Sequence, residues 1–221
     1  GEAAAFLGIP TPSGNVSFYN ENEAGSVLPT AVVLGTGLIP DARKAITSDL
    51  KAPGNSIYLV GSTGPEMGGS AYYRMLGGES PAVPDCDLPI LRQSIDALLA
   101  AMSEGLVSAC HDISDGGLAV AIAEMCIGGQ LGAELDLDYM GELPEYVKLF
   151  SESCTRWLVE VKPENTAMFE KALKHMSVKL GEVTDQCLFI TSGEEILIDA
   201  KLSDLENAWH NTIWDMMGGA E

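Results

Sequence analysis

The stretch from Cys110 to Met125 reads C-H-D-I-S-D-G-G-L-A-V-A-I-A-E-M, with a histidine, two aspartates, a serine and a glycine pair placed just ahead of an alanine-rich apolar run. Those residue types suit phosphate chemistry. Gly116 and Gly117 can take backbone angles closed to other residues and let a ligand approach the main chain. The free N–H groups in the first turn of a following helix form an anion site. Asp112 and Asp115 would repel an unaccompanied phosphate, so magnesium, which prefers hard oxygen ligands, is its natural companion. The same residues also suit plain architecture, with Ser114 or Asp115 capping the helix, Asp112 bonding to the turn and His111 a satisfied partner in the loop. Cys110 and His111 do not make a nucleophile pair, because adjacent strand residues point to opposite faces.

Two further stretches carry chemistry-bearing residues. In S-G-N-V-S-F-Y-N, Ser13 to Asn20, Gly14 would admit a nucleotide close to the backbone. The Asn15 carbonyl is a reasonable magnesium ligand, and the Ser17 hydroxyl could bond a substrate oxygen from the same face. The plain alternative is a polar strand end beside a loop. In F-S-E-S-C-T-R-W, Glu152 and Arg156 stand with Ser151 and Ser153, either as a functional cluster or as a capped turn with a surface ion pair. The run G-S-T-G-P-E-M-G-G-S looks like a phosphate loop but lacks the lysine that such a loop requires.

The elements that must position these residues follow from periodicity and punctuation. G-E-A-A-A-F-L-G-I-P predicts the last turns of a helix closed by Gly8, with Pro10 blocking its continuation. Alternation predicts a short strand over Val16 to Tyr19, and the polar run Glu21 to Ser26 a loop. The β-branched runs at 30–39 and 56–62 predict strands separated by a polar connection. Asp87 predicts the cap of a helix with Leu88, Leu91, Ile95, Leu98, Leu99 and Met102 on one face and Gly105 at its end. L-V-S-A-C-H then predicts a strand, and Leu118, Ile122 and Met125 the buried stripe of the next helix. T-R-W-L-V-E-V predicts another strand and Glu164 to His175 a helix. Three short strands over Val178–Val183, Cys187–Thr191 and Ile196–Asp199 lead to a final helix over Leu202–Met216. Strands and helices without a strict alternation predict an α+β layered sandwich with a mixed sheet, not a doubly wound one.

Composition limits the possibilities. The 221 residues are 46% hydrophobic, enough for a real core, and carry 32 acidic against 12 basic side chains, a net charge of −20. That field repels phosphodiester backbones, so nucleic acid is not an expected partner. The sequence contains no apolar run of the roughly 18–20 residues that a membrane helix needs, and no signal-peptide pattern, so the expectation is a cytoplasmic protein with no membrane partner. The five cysteines are scattered without a C-x-x-C pair, which predicts free thiols and neither a disulfide framework nor a zinc site. The chain starts without an initiator methionine, and the expectation is a piece cut from a longer protein.

Taken in order, L-G-I-P-T-P-S-G-N-V-S-F-Y-N-E, P-T-A-V-V-L-G-T-G-L-I, M-G-G-S-A-Y-Y, H-D-I-S-D-G-G-L-A-V-A-I-A-E-M and F-S-E-S-C-T-R-W-L-V-E-V form a set that resembles the C-terminal part of phosphoribosylformylglycinamidine synthase, in the synthetase subunit of the small, multi-subunit kind. The resemblance runs through most of the chain. It implies membership of a superfamily shared with aminoimidazole ribonucleotide synthetase, selenophosphate synthetase and hydrogenase maturation factors, whose two-domain unit this family carries twice. On that reading residues 1–28 end an N-terminal domain and residues 29–221 form an aminoimidazole ribonucleotide synthetase-like C-terminal domain.

The reaction the resemblance implies is ATP-dependent conversion of the formylglycinamide ribonucleotide amide to an amidine. Phosphate activates the amide oxygen, ammonia attacks and phosphate leaves. Carried over by residue, Gly14 matches an ATP contact, Asn15 a magnesium ligand and Ser17 a substrate contact. Asp112, Asp115, Gly116 and Gly117 are candidates for a nucleotide-phosphate or domain-interface role. The family's catalytic histidine has no counterpart here, so the chain is expected to supply no catalytic residue and to be inactive alone. The implied partners are an N-terminal half of the same chain, a glutaminase subunit that supplies ammonia, a small accessory subunit and a phosphorylated small-molecule substrate. The alternatives are a structural and subunit-docking domain without nucleotide binding, or a related synthetase or kinase such as selenophosphate synthetase.

Overall fold

A computed structural model describes residues 1–16, 20–23, 25–27 and 30–218. The chain divides into two compact units, Gly1–Ala45 and Ile46–Glu221; the expected boundary near Leu28 falls within the first of these spans.

In the first unit, helix α1 (Glu2–Leu7) ends where Gly8 turns left-handed at φ 70°, and its N–H closes back on the carbonyl of Ala5, as the glycine predicts. Strands β1 (Glu21–Asn22) and β2 (Gly25–Ser26) pair antiparallel. The strand expected at 30–39 does not form. Val32, Val33, Leu34 and Leu38 are about nine-tenths exposed, and residues 30–39 have no regular structure. Branched side chains give a strand its propensity, but a ladder also needs a neighbouring strand, and among the described residues of this unit only β1 and β2 pair.

The second unit is built on a seven-stranded sheet. In chain order its elements are β3 (Ser56–Val60), α2 (Ala71–Leu76), α3 (Leu88–Ser103), β4 (Ala109–Asp112), α4 (Gly117–Gly129), β5 (Gly132–Asp136), α5 (Glu145–Phe150), β6 (Trp157–Val161), α6 (Thr166–Leu173), β7 (Ser177–Thr184), β8 (Cys187–Ser192), β9 (Glu195–Lys201) and α7 (Leu202–Met216). The spatial order is β4-β6-β3-β7-β5-β8-β9, antiparallel throughout except for the parallel pair β5–β8. This is the mixed sheet of an α+β fold.

Every residue of β3 is buried, because helices cover both faces of the sheet at this strand. Ile57 and Leu59 join Leu118, Ile122 and Met125 of α4 in one core, while Tyr58 and Val60 join Leu98 and Ala101 of α3 and Phe169 and Leu173 of α6 in another. Leu118, Ile122 and Met125 are wholly buried, each stabilising the fold by about 1.5–3 kcal/mol. The Tyr58 hydroxyl donates to Glu170 at 2.8 Å, so its polar end is satisfied inside the second core. Glu160 is also fully buried and accepts from the main-chain N–H groups of Lys51 and Ala52 and from the Asn55 side chain, at 2.9, 3.2 and 2.6 Å, which fixes the turn leading into β3.

Helix α3 begins as predicted, with the Asp87 carboxylate accepting from the Ile90 N–H at 2.9 Å. Its buried face is rotated from the expected stripe: Ser94, Leu98 and Ala101 point inward and Leu99 is 57% exposed. Ser94 and Ala101 are small, and a stripe drawn from large apolar side chains does not register them. The helix expected over Glu164–His175 is shorter at α-geometry, with single 3-10 turns at Pro163–Asn165 and Lys174–Met176 flanking α6. β5 has no counterpart among the expected strands. A side chain at Gly132 would meet the Cys187 carbonyl at 2.2 Å, so this strand packs through the absence of a side chain. Among the described residues no helix is long and apolar enough to cross a membrane.

Candidate functional site

The turn singled out in the sequence joins β4 to α4 at one end of the sheet. Ile113 is its buried plug, and its N–H donates to the Arg156 carbonyl at 3.0 Å. Asp112, Ser114 and Asp115 are exposed, whereas Gly116 and Gly117 are buried. Both glycines have positive φ, 81° and 70°. A Cβ on Gly116 would meet Val120 Cγ2 at 2.4 Å, and one on Gly117 would meet the Leu149 carbonyl at 2.7 Å and the Phe150 backbone at 2.8 Å. Gly117 therefore lets the start of α4 press against the end of α5, and Gly116 leaves room for the Val120 side chain.

Neither Ser114 nor Asp115 caps α4 through its side chain. The Gly117 N–H pairs with the Ser114 carbonyl at 3.0 Å. The Gly116 N–H donates at 2.9 Å to one oxygen of Glu152, and that oxygen also accepts from the Ala71 N–H at the start of α2, at 2.7 Å. One carboxylate thus joins the diglycine turn to the end of the M-G-G-S-A loop. His111 lies to the side of the turn, with Nδ1 2.7 Å from the Asp112 carbonyl and Nε2 2.9 Å from Glu124 of α4. Burial pushes the Cys110 thiol up to about 12, so it remains protonated and unreactive at neutral pH.

The F-S-E-S-C-T-R-W segment is not the surface ion pair its plain reading expects. Arg156 is 1% exposed, and its guanidinium donates to the carbonyls of Ser153 and Ser151 at 2.9 and 2.5 Å and to Thr63 Oγ1 at 3.0 Å. Burial lowers its pKa to about 10, against the opposing pull of Glu66, Cys154 and Glu152, so it is still cationic at neutral pH. Ser151 donates to the Gly64 carbonyl at 2.7 Å, and the Gly64 N–H donates to Ser153 at 2.9 Å. The G-S-T-G loop therefore spends its polar groups on this framework. Thr155, a β-branched residue at φ 61°, fits against Gly61, whose missing Cβ would lie 2.2 Å from the Thr155 carbonyl.

Together these segments wall an open cavity of ≈ 460 Å³, lined among others by Asp112, Ser114, Asp115, Glu152, Cys154 and Arg156. Its charged rim is acidic and its one cation is spent on two carbonyls and the Thr63 hydroxyl, so a metal ion would ease the entry of an anion. Magnesium is usually held by one or two carboxylates together with phosphate oxygens and water, and the carboxylates of Asp112 and Asp115 are exposed on this rim. Among the described residues no three His, Cys, Asp or Glu side chains form a complete cation site. Gly14 and Asn15 lie in the first unit, both exposed, with nothing within 4 Å of where a Gly14 side chain would point. Ser17 lies outside the described residues. Glu152 is the residue whose role here the sequence did not reveal, since its partners are 36 and 81 positions away.

Residues 52–191, which span β3 to β8 and the whole turn, match the family described as AIR synthase related protein, C-terminal domain. The chain belongs to this family. A protein named phosphoribosylformylglycinamidine synthase subunit PurL, from Alkaliphilus metalliredigens, is 36% identical over 220 residues, 98% of this chain and 30% of that protein. The chain thus spans about a third of the length of this relative. Solved structures of this fold include Thermotoga maritima PurL complexed with FGAR, with a TM-score of 0.67 at 22% identity over 74% of this chain and 30% of that one. The PurLQS structure from the same organism gives a TM-score of 0.62 at 23% identity, over 74% and 28% of the two chains. The hydrogenase maturation protein HypE in complex with ATP gives 0.51 at 15% identity, over 72% and 54%. At these identities the structures show that the AIR synthase-related fold is shared.

Proposed function

We propose that this AIR synthase-related domain serves, within a longer protein, as the C-terminal part of a phosphoribosylformylglycinamidine synthase. The parent would convert formylglycinamide ribonucleotide to its amidine with ATP and ammonia, in the cytoplasm, in complex with a glutaminase and a small accessory subunit. The observation that carries this reading is the 36% identity to a PurL protein across 98% of the chain, a stretch that includes both S-G-N-V-S and H-D-I-S-D-G-G. Gly14 would contact ATP, Asn15 would supply a neutral oxygen to magnesium, and Ser17 would contact substrate. Asp112 and Asp115 would face a metal-bound phosphate across the cavity, with Gly116 and Gly117 setting the turn. Magnesium, when bound, would neutralise phosphate charge beside an otherwise acidic rim.

The expected result is that a parent protein carrying this chain releases ADP and forms the amidine from formylglycinamide ribonucleotide, Mg-ATP and ammonium, while the isolated chain does neither. Steady ADP release by the isolated chain under those conditions would contradict the reading. In the parent, Asn15→Ala should raise the magnesium concentration needed for half-maximal rate by at least roughly tenfold, the loss seen when groups that merely support metal ligands are removed. An unchanged magnesium dependence would remove Asn15 from the metal site.

One observation favours a second reading for the turn alone. Glu152 already occupies the N–H groups of Gly116 and Ala71, as a bound anion would, which suits a structural or subunit-docking role. Asp112→Asn and Asp115→Asn separate the two readings: nucleotide affinity of the parent falls under the first and stays level under the second.

A further inference from the structure

We propose that Cys86 and Cys154 form a reversible intramolecular disulfide across the lip of the cavity. The two residues lie on different segments, Cys86 immediately before the Asp87 cap of α3 and Cys154 between Glu152 and the left-handed Thr155. Both line the same cavity wall. Cys154 is exposed and Cys86 is half-buried, so a small oxidant reaches the first and the second waits beside it. Cys86 Sγ lies 3.9 Å from Thr155 Oγ1, which places it against the residue that follows Cys154. The other three cysteines differ: Cys126 is buried in the core with its thiol pushed up to about 12, Cys110 is held up likewise, and Cys187 sits on β8, on a separate part of the sheet.

The chemistry is thiol–disulfide exchange with a low-molecular-weight disulfide such as glutathione disulfide. The Cys154 thiolate attacks one sulfur of the oxidant, forms a mixed disulfide and expels one glutathione thiolate. The Cys86 thiolate then attacks Cys154 Sγ, the protein S–S bond forms and the second glutathione leaves. Two protein thiols are oxidised, one small disulfide is reduced to two thiols, and the protons of the protein thiols pass to the departing thiolates. Burial first, then the neighbouring Cys86 and the Glu66 carboxylate, hold the Cys154 thiol above its ordinary range, with Asp85 adding to the effect. These groups slow the first step at neutral pH, and the position of the equilibrium follows from the reduction potential of the pair against that of the glutathione buffer. Once formed, the bond ties the start of α3 to the segment that carries Glu152, so cavity access becomes dependent on redox state whatever ligand the cavity takes.

The test incubates the native protein in glutathione buffers of rising oxidised fraction, blocks free thiols with a maleimide, and maps linkages by peptide mass spectrometry, with circular dichroism confirming that the oxidised sample is folded. The expected result is a Cys86–Cys154 linked peptide that dominates over every other pairing and disappears on reduction. In Cys86→Ser, Cys154 should instead accumulate as a stable glutathione adduct, because the resolving thiol is missing. The proposal is overturned if both thiols stay open to maleimide across the series, if Cys154 links to another cysteine, if the linked peptide appears only in unfolded protein, or if Cys86→Ser leaves Cys154 unmodified.

Discussion

Replacing Arg156 by alanine is expected to lower the unfolding free energy of the second unit by about 4 kcal/mol. The guanidinium is almost fully buried and holds three acceptors from two segments, the Ser151 and Ser153 carbonyls and the Thr63 hydroxyl. Hydrogen bonds from a charged donor each contribute about 1.5–3 kcal/mol, and each acceptor left unpaired in the interior adds its own penalty. Removing a buried charge also recovers its desolvation cost, which is why the expected loss falls short of the sum of the three bonds. Arg156→Lys keeps the charge but cannot span the same acceptors, so it should recover less than half of the loss. Urea unfolding followed by circular dichroism measures both. A loss below about 1 kcal/mol for the alanine variant would mean that burying the charge cancels what its bonds contribute.

Gly117→Val should be nearly as damaging, about 3 kcal/mol or more, because two penalties coincide. A branched residue at φ 70° is strained by roughly 1–2 kcal/mol. Its Cβ would also lie 2.7 Å from the Leu149 carbonyl and 2.8 Å from the Phe150 backbone, atoms that cannot swing aside as a side chain can. For a unit of this size the melting temperature should drop by about 6–12 °C. Asp115→Asn, at an exposed position of the same turn, should move stability by less than about 0.5 kcal/mol. A melting temperature for Gly117→Val within a degree or so of the parent's would show that α5 gives way, and that the close approach is not what requires glycine. Valine at 117 thus reports on packing, and the aspartates are the positions at which binding is tested.

Much of this architecture was legible because it is written locally. Asp87 ahead of an apolar stripe marked the start of α3, Gly8 marked the end of α1, and the run from Leu202 marked α7, since caps and periodicity act within a few residues. What escaped depends on neighbours remote in sequence. Val32 to Leu34 have strand character and, among the described residues, no strand beside them, and Gly132 hides a strand whose packing needs an absent side chain. The turn from His111 to Gly117 was visible as a concentration of unusual residues, and its glycine pair as a sharp bend. That Glu152 would fasten it to the start of α2, and that Arg156 would be buried and not paired at the surface, rest on contacts that no spacing encodes.

The order of strands in the sheet carries a consequence for how the chain is made. β3 finds both of its partners late, Ser56 lying opposite Val161 of β6 and Glu182 of β7. At about 5–20 residues per second, a ribosome needs roughly 5 to 20 seconds after finishing Ile57-Tyr58-Leu59-Val60 to synthesise the first of those partners. Throughout that interval the strand of the sheet that is buried at every residue has an open ladder on both edges, the condition in which chains pair with one another instead of with themselves. Holdase chaperones acting on the nascent chain should therefore matter more to the yield of this protein than its final stability does, and slowing translation beyond β3 should lower that yield.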